Sequence, residues 1–276
     1  MWIRMLQNQM ANQPSTVFVT LSDQKYLHKA LKTIRELRGR GQWTGDIVYI
    51  TVDFIPTEES MKDLNVIVHP VSHIDTSHLV AQLTAHPIGP SDDGRHLGKL
   101  VQWDKLYCFS EFFRQWERVL FCDAGLRIFD SVNALLSLPW KGCLMAPDDS
   151  DPYDNGNRFK CQLHLDKNPP VAEALLAEYG EGILTQKYFL NCIFMYDTAL
   201  LDKCDMNTLV EAMNRFPICH CNEMTIMNLL FTFKLGVWKP FPQRVGYKYL
   251  FGWCEHNYKE RPTWRDFHCI KYSVTG

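Results

Sequence analysis

Lys99–Asp130 reads KLVQWDKLYCFSEFFRQWERVLFCDAGLRIFD, and its interpretation decides the fold. Leu100, Trp103, Leu106, Tyr107 and Phe113 recur about every 3.6 residues, which predicts an amphipathic helix with one buried face. The period then changes. Arg118-Val-Leu-Phe-Cys122 is a short apolar run that stops at Asp123-Ala-Gly125, the pattern of a buried parallel strand delivering a carboxylate to the carboxyl edge of a sheet. Ligands bind at that edge in open α/β sheets. An acid there, followed by small residues that admit a ligand to the backbone, suits a divalent metal holding a diphosphate.

The flanking sequence repeats the strand and helix alternation. Thr16-Val-Phe-Val-Thr-Leu21 is a first strand, ending at Ser22-Asp23, which cap a helix from Lys25 to about Arg38. Ile47–Val52 and Asn65–His69 are further strands, so a parallel sheet with right-handed crossovers is expected. Pro70–Gly98, with GPSDDG near its end, reads as a surface loop. Ser131–Leu138 reads as a short helix and Lys141–Ala146 as a strand ending in Pro147-Asp148-Asp149. Ser150–Pro170 lacks periodicity and reads as a long functional loop. Lys187–Tyr196 is an apolar strand with Asn191 at its centre, and helices follow at Asn207–Arg215 and Glu223–Phe233. The aromatic-rich end closes on Asp266–Tyr272.

Composition narrows the function. The 276 residues are 46% hydrophobic with a formal charge of −2, enough for one large core and no electrostatic platform for nucleic acid. No run is long or apolar enough for a signal peptide or a membrane span, so the expectation is a soluble, cytoplasmic chain. Several of the ten cysteines sit in apolar runs, which favours free thiols over disulfides. Cys219-His220-Cys221 has no second pair at zinc-finger spacing, which disfavours a structural zinc.

Taken in order, these motifs resemble the GT-A fold glycosyltransferases, and most closely the glycogenin-like family 8 enzymes, over residues 16 to 273. The resemblance implies a Rossmann-like α/β domain, a mixed, mostly parallel sheet flanked by helices. It gives an extension at 1–15 and one domain at 16–276, with a nucleotide-binding half at 16–125 and an acceptor-binding half at 126–276. It assigns the nucleotide base to Thr20, Leu21, Ser22 and Tyr26, and the diphosphate to Lys105, Asp123, Ala124, Gly125 and Lys271. Asp148 in Ala-Pro-Asp, Asn191 in Tyr-Phe-Leu-Asn and Glu223 before its helix match sugar-contacting or catalytic positions. Each has a plainer reading as a turn residue, a paired amide or a helix-terminal acid.

The sequence departs from the family at Gly125, where the second acid of Asp-x-Asp would stand. Asp123 and His268 are left as candidate ligands for Mn or Mg, and the Gly and Pro-Trp of the family's late His motif are absent around His268. The expected activity is transfer of a hexose from a nucleoside-diphosphate sugar, UDP before others, to a glycan, protein or small-molecule acceptor, with metal assistance. A homodimer is compatible with this reading. If configuration inverts, Asp148, Asp149 or Glu223 must deprotonate the acceptor. The alternative is a catalytically silent nucleotide-sugar-binding or scaffolding relative. A nucleotidyltransferase is weaker, because Ser22-Asp23-Gln24 replaces the Gly-rich, Lys-containing loop it requires.

Overall fold

The computed structural model describes residues 15–86, 95–254 and 258–272. The extension up to residue 14 and the GPSDDG stretch at 89–94 lie outside them. Eleven described strands form two sheets. The large one has the order β3-β2-β1-β4-β7-β6-β8, with β1 Thr16–Asp23, β2 Asp46–Val52, β3 Ile67–Val71, β4 Arg118–Cys122, β6 Leu144–Ala146, β7 Ile193–Asp197 and β8 Trp238–Pro240. Strands β3, β2, β1 and β4 run parallel, β7 is antiparallel to both β4 and β6, and β8 is parallel to β6. The small sheet has the order β5-β11-β10-β9, with β5 Leu126–Ile128, β9 Arg244–Val245, β10 Lys248–Trp253 and β11 Phe267–Lys271.

Alternation along the central strands explains why they read as continuous apolar runs. Val17, Val19, Val119 and Phe121 enter one apolar core, with Trp103 and Phe109, while Phe18, Leu120 and Cys122 enter the other, beneath the Leu27–Arg38 helix. Both faces of the sheet are therefore dry, the usual state of parallel strands under helices. No described helix is long and apolar enough to cross a membrane. No disulfide joins any of the ten cysteines, all of which are among the described residues.

Four expectations change. Pro70–Gly98, read as a surface loop, carries an α-helix at Ser77–Ala85 whose Leu79 and Leu83 pack into the core. The helix foreseen after Lys99 is a 3₁₀ segment at Leu100–Phe109, broken by extended Ser110, then a second 3₁₀ turn at Glu111–Gln115. Trp103, Asp104, Lys105, Leu106, Cys108 and Phe109 are all buried, so the segment is enclosed instead of amphipathic. Packing from every side, and not a single apolar stripe, sets its geometry. Strand β7 begins at Ile193, so Asn191 precedes the strand instead of interrupting it. The helix at Glu223 is α-helical only to Met227 and continues as a π-helical stretch through Asn228–Lys234.

Candidate active site

The carboxyl end of β4 is met by three elements from distant parts of the chain. Because β7 runs antiparallel to β4, with Cys122 opposite Ile193, the residues just before β7 lie against those just after β4. The Asp123 amide donates to Cys192 O at 2.9 Å, which places Asn191 at the edge. Strand β11 is antiparallel to β5 with Lys271 opposite Leu126, so it brings Lys271 to the Asp123-Ala-Gly125 turn. The Glu223 helix starts at Asn222, whose side-chain amide donates to Gln102 Oε1 at 2.9 Å and so docks it on the 3₁₀ segment carrying Lys105.

Five of the residues singled out in the sequence meet there. Lys105 Nζ lies 3.1 Å from Asp123 Oδ1 and 2.9 Å from Glu223 Oε1. It also donates to Asn191 Oδ1 at 3.2 Å and to Asn191 O at 3.3 Å. Asn191 Nδ2 donates to Glu223 Oε1 at 2.8 Å, closing the ring of contacts. Lys271 Nζ lies 3.4 Å from Asp123 Oδ2 and donates to Ala124 O at 3.1 Å. A buried ammonium is tolerable only with such compensation.

The electrostatics follow from this pairing. Burial acts to lower the Lys105 pKa, but Asp123 and Glu223 outweigh it and the ammonium is held above its ordinary 10.5. Burial pushes the Asp123 carboxyl up, yet Lys105 and Lys271 hold it below 3.8. Glu223 is different. Burial raises its pKa above 4.5 despite Lys105 and Asn191, and its Oε2 is buried with no hydrogen-bond partner. Burial pushes the neighbouring Cys192 thiol up to about 12, which disfavours a thiolate nucleophile at neutral pH.

The turn itself is anchored by a residue the sequence reading missed. Gly125, with φ +89°, donates its amide to Thr33 Oγ1 at 3.0 Å, and that hydroxyl donates to Leu126 O at 3.0 Å. A buried threonine inside an otherwise apolar helix face was the available signal. A cleft of about 400 Å³ opens beside the cluster, lined by Leu21, Ser22, Tyr26, Lys105, Asp123, Ala124 and Lys271 among others. Ser22 Oγ is 2.7 Å from Tyr49 Oη, and Asp23 caps the following turn through the Tyr26 amide at 3.0 Å.

Other candidates lie elsewhere. Thr20 is fully buried and does not line the cleft. Asp148 accepts from the Ser150 amide and hydroxyl at 2.9 and 2.7 Å and pairs with Lys187 at 3.1 Å. It lines a second cavity of about 450 Å³, with Asp149, Asp151, Tyr153, Tyr249 and Trp253, and Trp253 is a wall of both cavities.

His268 is not brought to Asp123. It stands three residues before Lys271 on β11, hence on the opposite face of the strand. Its Nε2 faces Val245 O at 3.4 Å and its Nδ1 lies 3.5 Å from Asp130. Among the described residues no group of three or more His, Cys, Asp and Glu side chains is placed to hold a metal. Both Asp123 oxygens are already paired with lysines, and Gly125 offers no carboxylate. The described residues therefore do not fit the expected Mn or Mg.

No family model and no curated protein matches the sequence. Solved structures do match. Galactosyltransferase LgtC, in complex with donor and acceptor sugar analogs, aligns at TM-score 0.58 and 15% identity over 93% of this chain and 86% of that one. Mouse xyloside xylosyltransferase 1 aligns at TM-score 0.52 and 8% identity over 94% and 98% of the two chains. The chain has a GT-A fold. An active-site mutant of LgtC gives TM-score 0.60 at 13% identity with the same coverage as LgtC itself. In this GT-A fold the clustered lysines and carboxylates occupy the carboxyl edge of the parallel strands, where the general rule for open α/β sheets puts a ligand.

Proposed function

We propose that the protein is a glycosyltransferase that takes a hexose from a nucleoside-diphosphate sugar, UDP-linked before others, and passes it to a glycan, protein or small-molecule acceptor. The observation that carries this reading is the convergence of Lys105, Asp123, Asn191, Glu223 and Lys271 beside a cleft bounded by Ser22 and Tyr26. The Tyr26 ring offers a face for a uracil and the turn before it offers backbone groups to the base edge. Lys105 and Lys271 offset the charge that develops on the departing diphosphate. Asn191 and Glu223 stand behind Lys105 and orient it, and the second cavity, which shares the Trp253 wall, receives the acceptor. If the reaction inverts, Glu223 is the base this arrangement favours, because burial raises its pKa and one oxygen is unpartnered.

The glycogenin-like resemblance belongs to the same proposal. Its second reading, a silent nucleotide-sugar-binding relative, is favoured by Gly125 and by the ion-paired state of Asp123. The two separate in one assay: release of UDP or GDP from UDP-glucose, UDP-galactose, UDP-N-acetylglucosamine and GDP-mannose. Turnover of one donor that falls on the order of a hundredfold in Asn191→Ala supports the transferase. Donor binding without turnover supports the silent relative, and no binding of any donor sinks both.

A further inference from the structure

The ion pairs at Asp123 do more than compete with a metal for its oxygens. Its carboxylate is held from both sides, Oδ1 by Lys105 at 3.1 Å and Oδ2 by Lys271 at 3.4 Å, and both lysine side chains are largely buried. The Lys29 side chain packs behind the turn. A Cβ built at Gly125 would meet Lys29 Cδ at 3.4 Å, so the position where a second acid would stand lies against a lysine stem. Lys29 Nζ also sits 5.4 Å from the centre of the Tyr26 ring, at the edge of the cleft. Lys99 lines the same cleft. Three lysines, Lys99, Lys105 and Lys271, thus line the cleft with Asp23 and Asp123, and Glu223 pairs with Lys105 from behind. A divalent ion placed on Asp123 would meet two ammonium groups at contact range, and Coulomb repulsion opposes it.

We propose that Lys105, Asp123 and Lys271 form a metal-free diphosphate site, with the carboxylate acting as the spacer that holds two ammonium groups apart and aimed at the cleft. The anion would take hydrogen bonds from Lys271 Nζ and, by displacing one of its present acceptors, from Lys105 Nζ, both point-charge donors suited to phosphate. This rests on the cleft being a nucleotide-sugar site for its biological ligand, but not for its chemistry: any diphosphate should bind.

Calorimetric titration of the chelator-stripped protein tests it, using inorganic pyrophosphate in EDTA, UDP in EDTA and UDP in Mn. Pyrophosphate and UDP should bind in EDTA, with the UDP constant changed by less than about threefold in Mn, and Lys271→Ala should weaken both about tenfold while Lys271→Arg retains them. UDP binding that appears only with Mn, or pyrophosphate binding that is absent or indifferent to Lys271→Ala, overturns the site. Pyrophosphate bound in EDTA with no UDP bound under any condition upholds the lysine site and removes the nucleotide reading instead.

Discussion

Asp104 and Lys105 are neighbours in sequence, and both are buried on the same 3₁₀ segment with different partners. Asp104 takes the Ile74 amide at 2.8 Å and faces His73 Nδ1 at 2.6 Å, which fixes the segment that aims Lys105 at Asp123. Burial raises the Asp104 pKa from 3.8 to about 6, against the opposing pull of the Ile74 amide and His73. The folded chain then binds more protons than the unfolded one within that window, so this group's contribution to stability falls as pH rises from 3.8 to about 6 and is constant above it. Asp104→Asn keeps the shape and removes the titration. Its stability relative to wild type should rise by about 2 kcal/mol between pH 4 and pH 7. Urea midpoints at the two pH values read this directly, and a gap that does not change with pH refutes it.

Elements position the site where single residues do not. The α-helix that starts at Glu223 changes to π geometry at Asn228, and this fully buried residue turns its amide onto the chain before β7. Asn228 Oδ1 accepts from the Phe189 amide at 2.9 Å and its Nδ2 donates to Phe189 O at 3.0 Å, so one side chain acts as a strand neighbour two residues ahead of Asn191. Asn228→Ala leaves both backbone groups buried and unpaired and should cost about 3 kcal/mol of stability. As a positioning residue it should also lower kcat while leaving UDP affinity nearly unchanged. Loss of UDP affinity in step with kcat would show a general disruption instead.

On the scale of the whole molecule, the C-terminal strands link the two cavities. Trp253 ends β10, is 39% exposed and forms a wall of both the cleft beside Asp123 and the acidic, aromatic cavity behind the Asp148 turn. Trp253→Ala should therefore raise KM for donor and acceptor together, each about tenfold, where Tyr153→Ala should affect the acceptor alone. Steady-state kinetics with each substrate varied in turn separates these outcomes.

The same scale shows how much the sequence could carry. Periodicity and turn chemistry are local, so the runs at Thr16–Leu21, Ile47–Val52 and Arg118–Cys122 were legible as buried strands, and the break at Asp123 was legible as their functional edge. The order of motifs was enough to bring Lys105, Asp123, Asn191, Glu223 and Lys271 under one functional reading. What they do to one another was not legible, because it depends on pairings between distant segments: Lys271 reaches Ala124 across 147 positions. Apolar spacing also misled, since it cannot distinguish one buried face from burial on all sides, and so the Lys105 segment read as an amphipathic helix. Only the tertiary structure decided that β7 runs against β4, that strand parity turns His268 away while Lys271 turns in, and that lysines occupy both oxygens of Asp123. A strand's residues reveal that it is buried, but its direction and partners are set by what the rest of the chain packs around it.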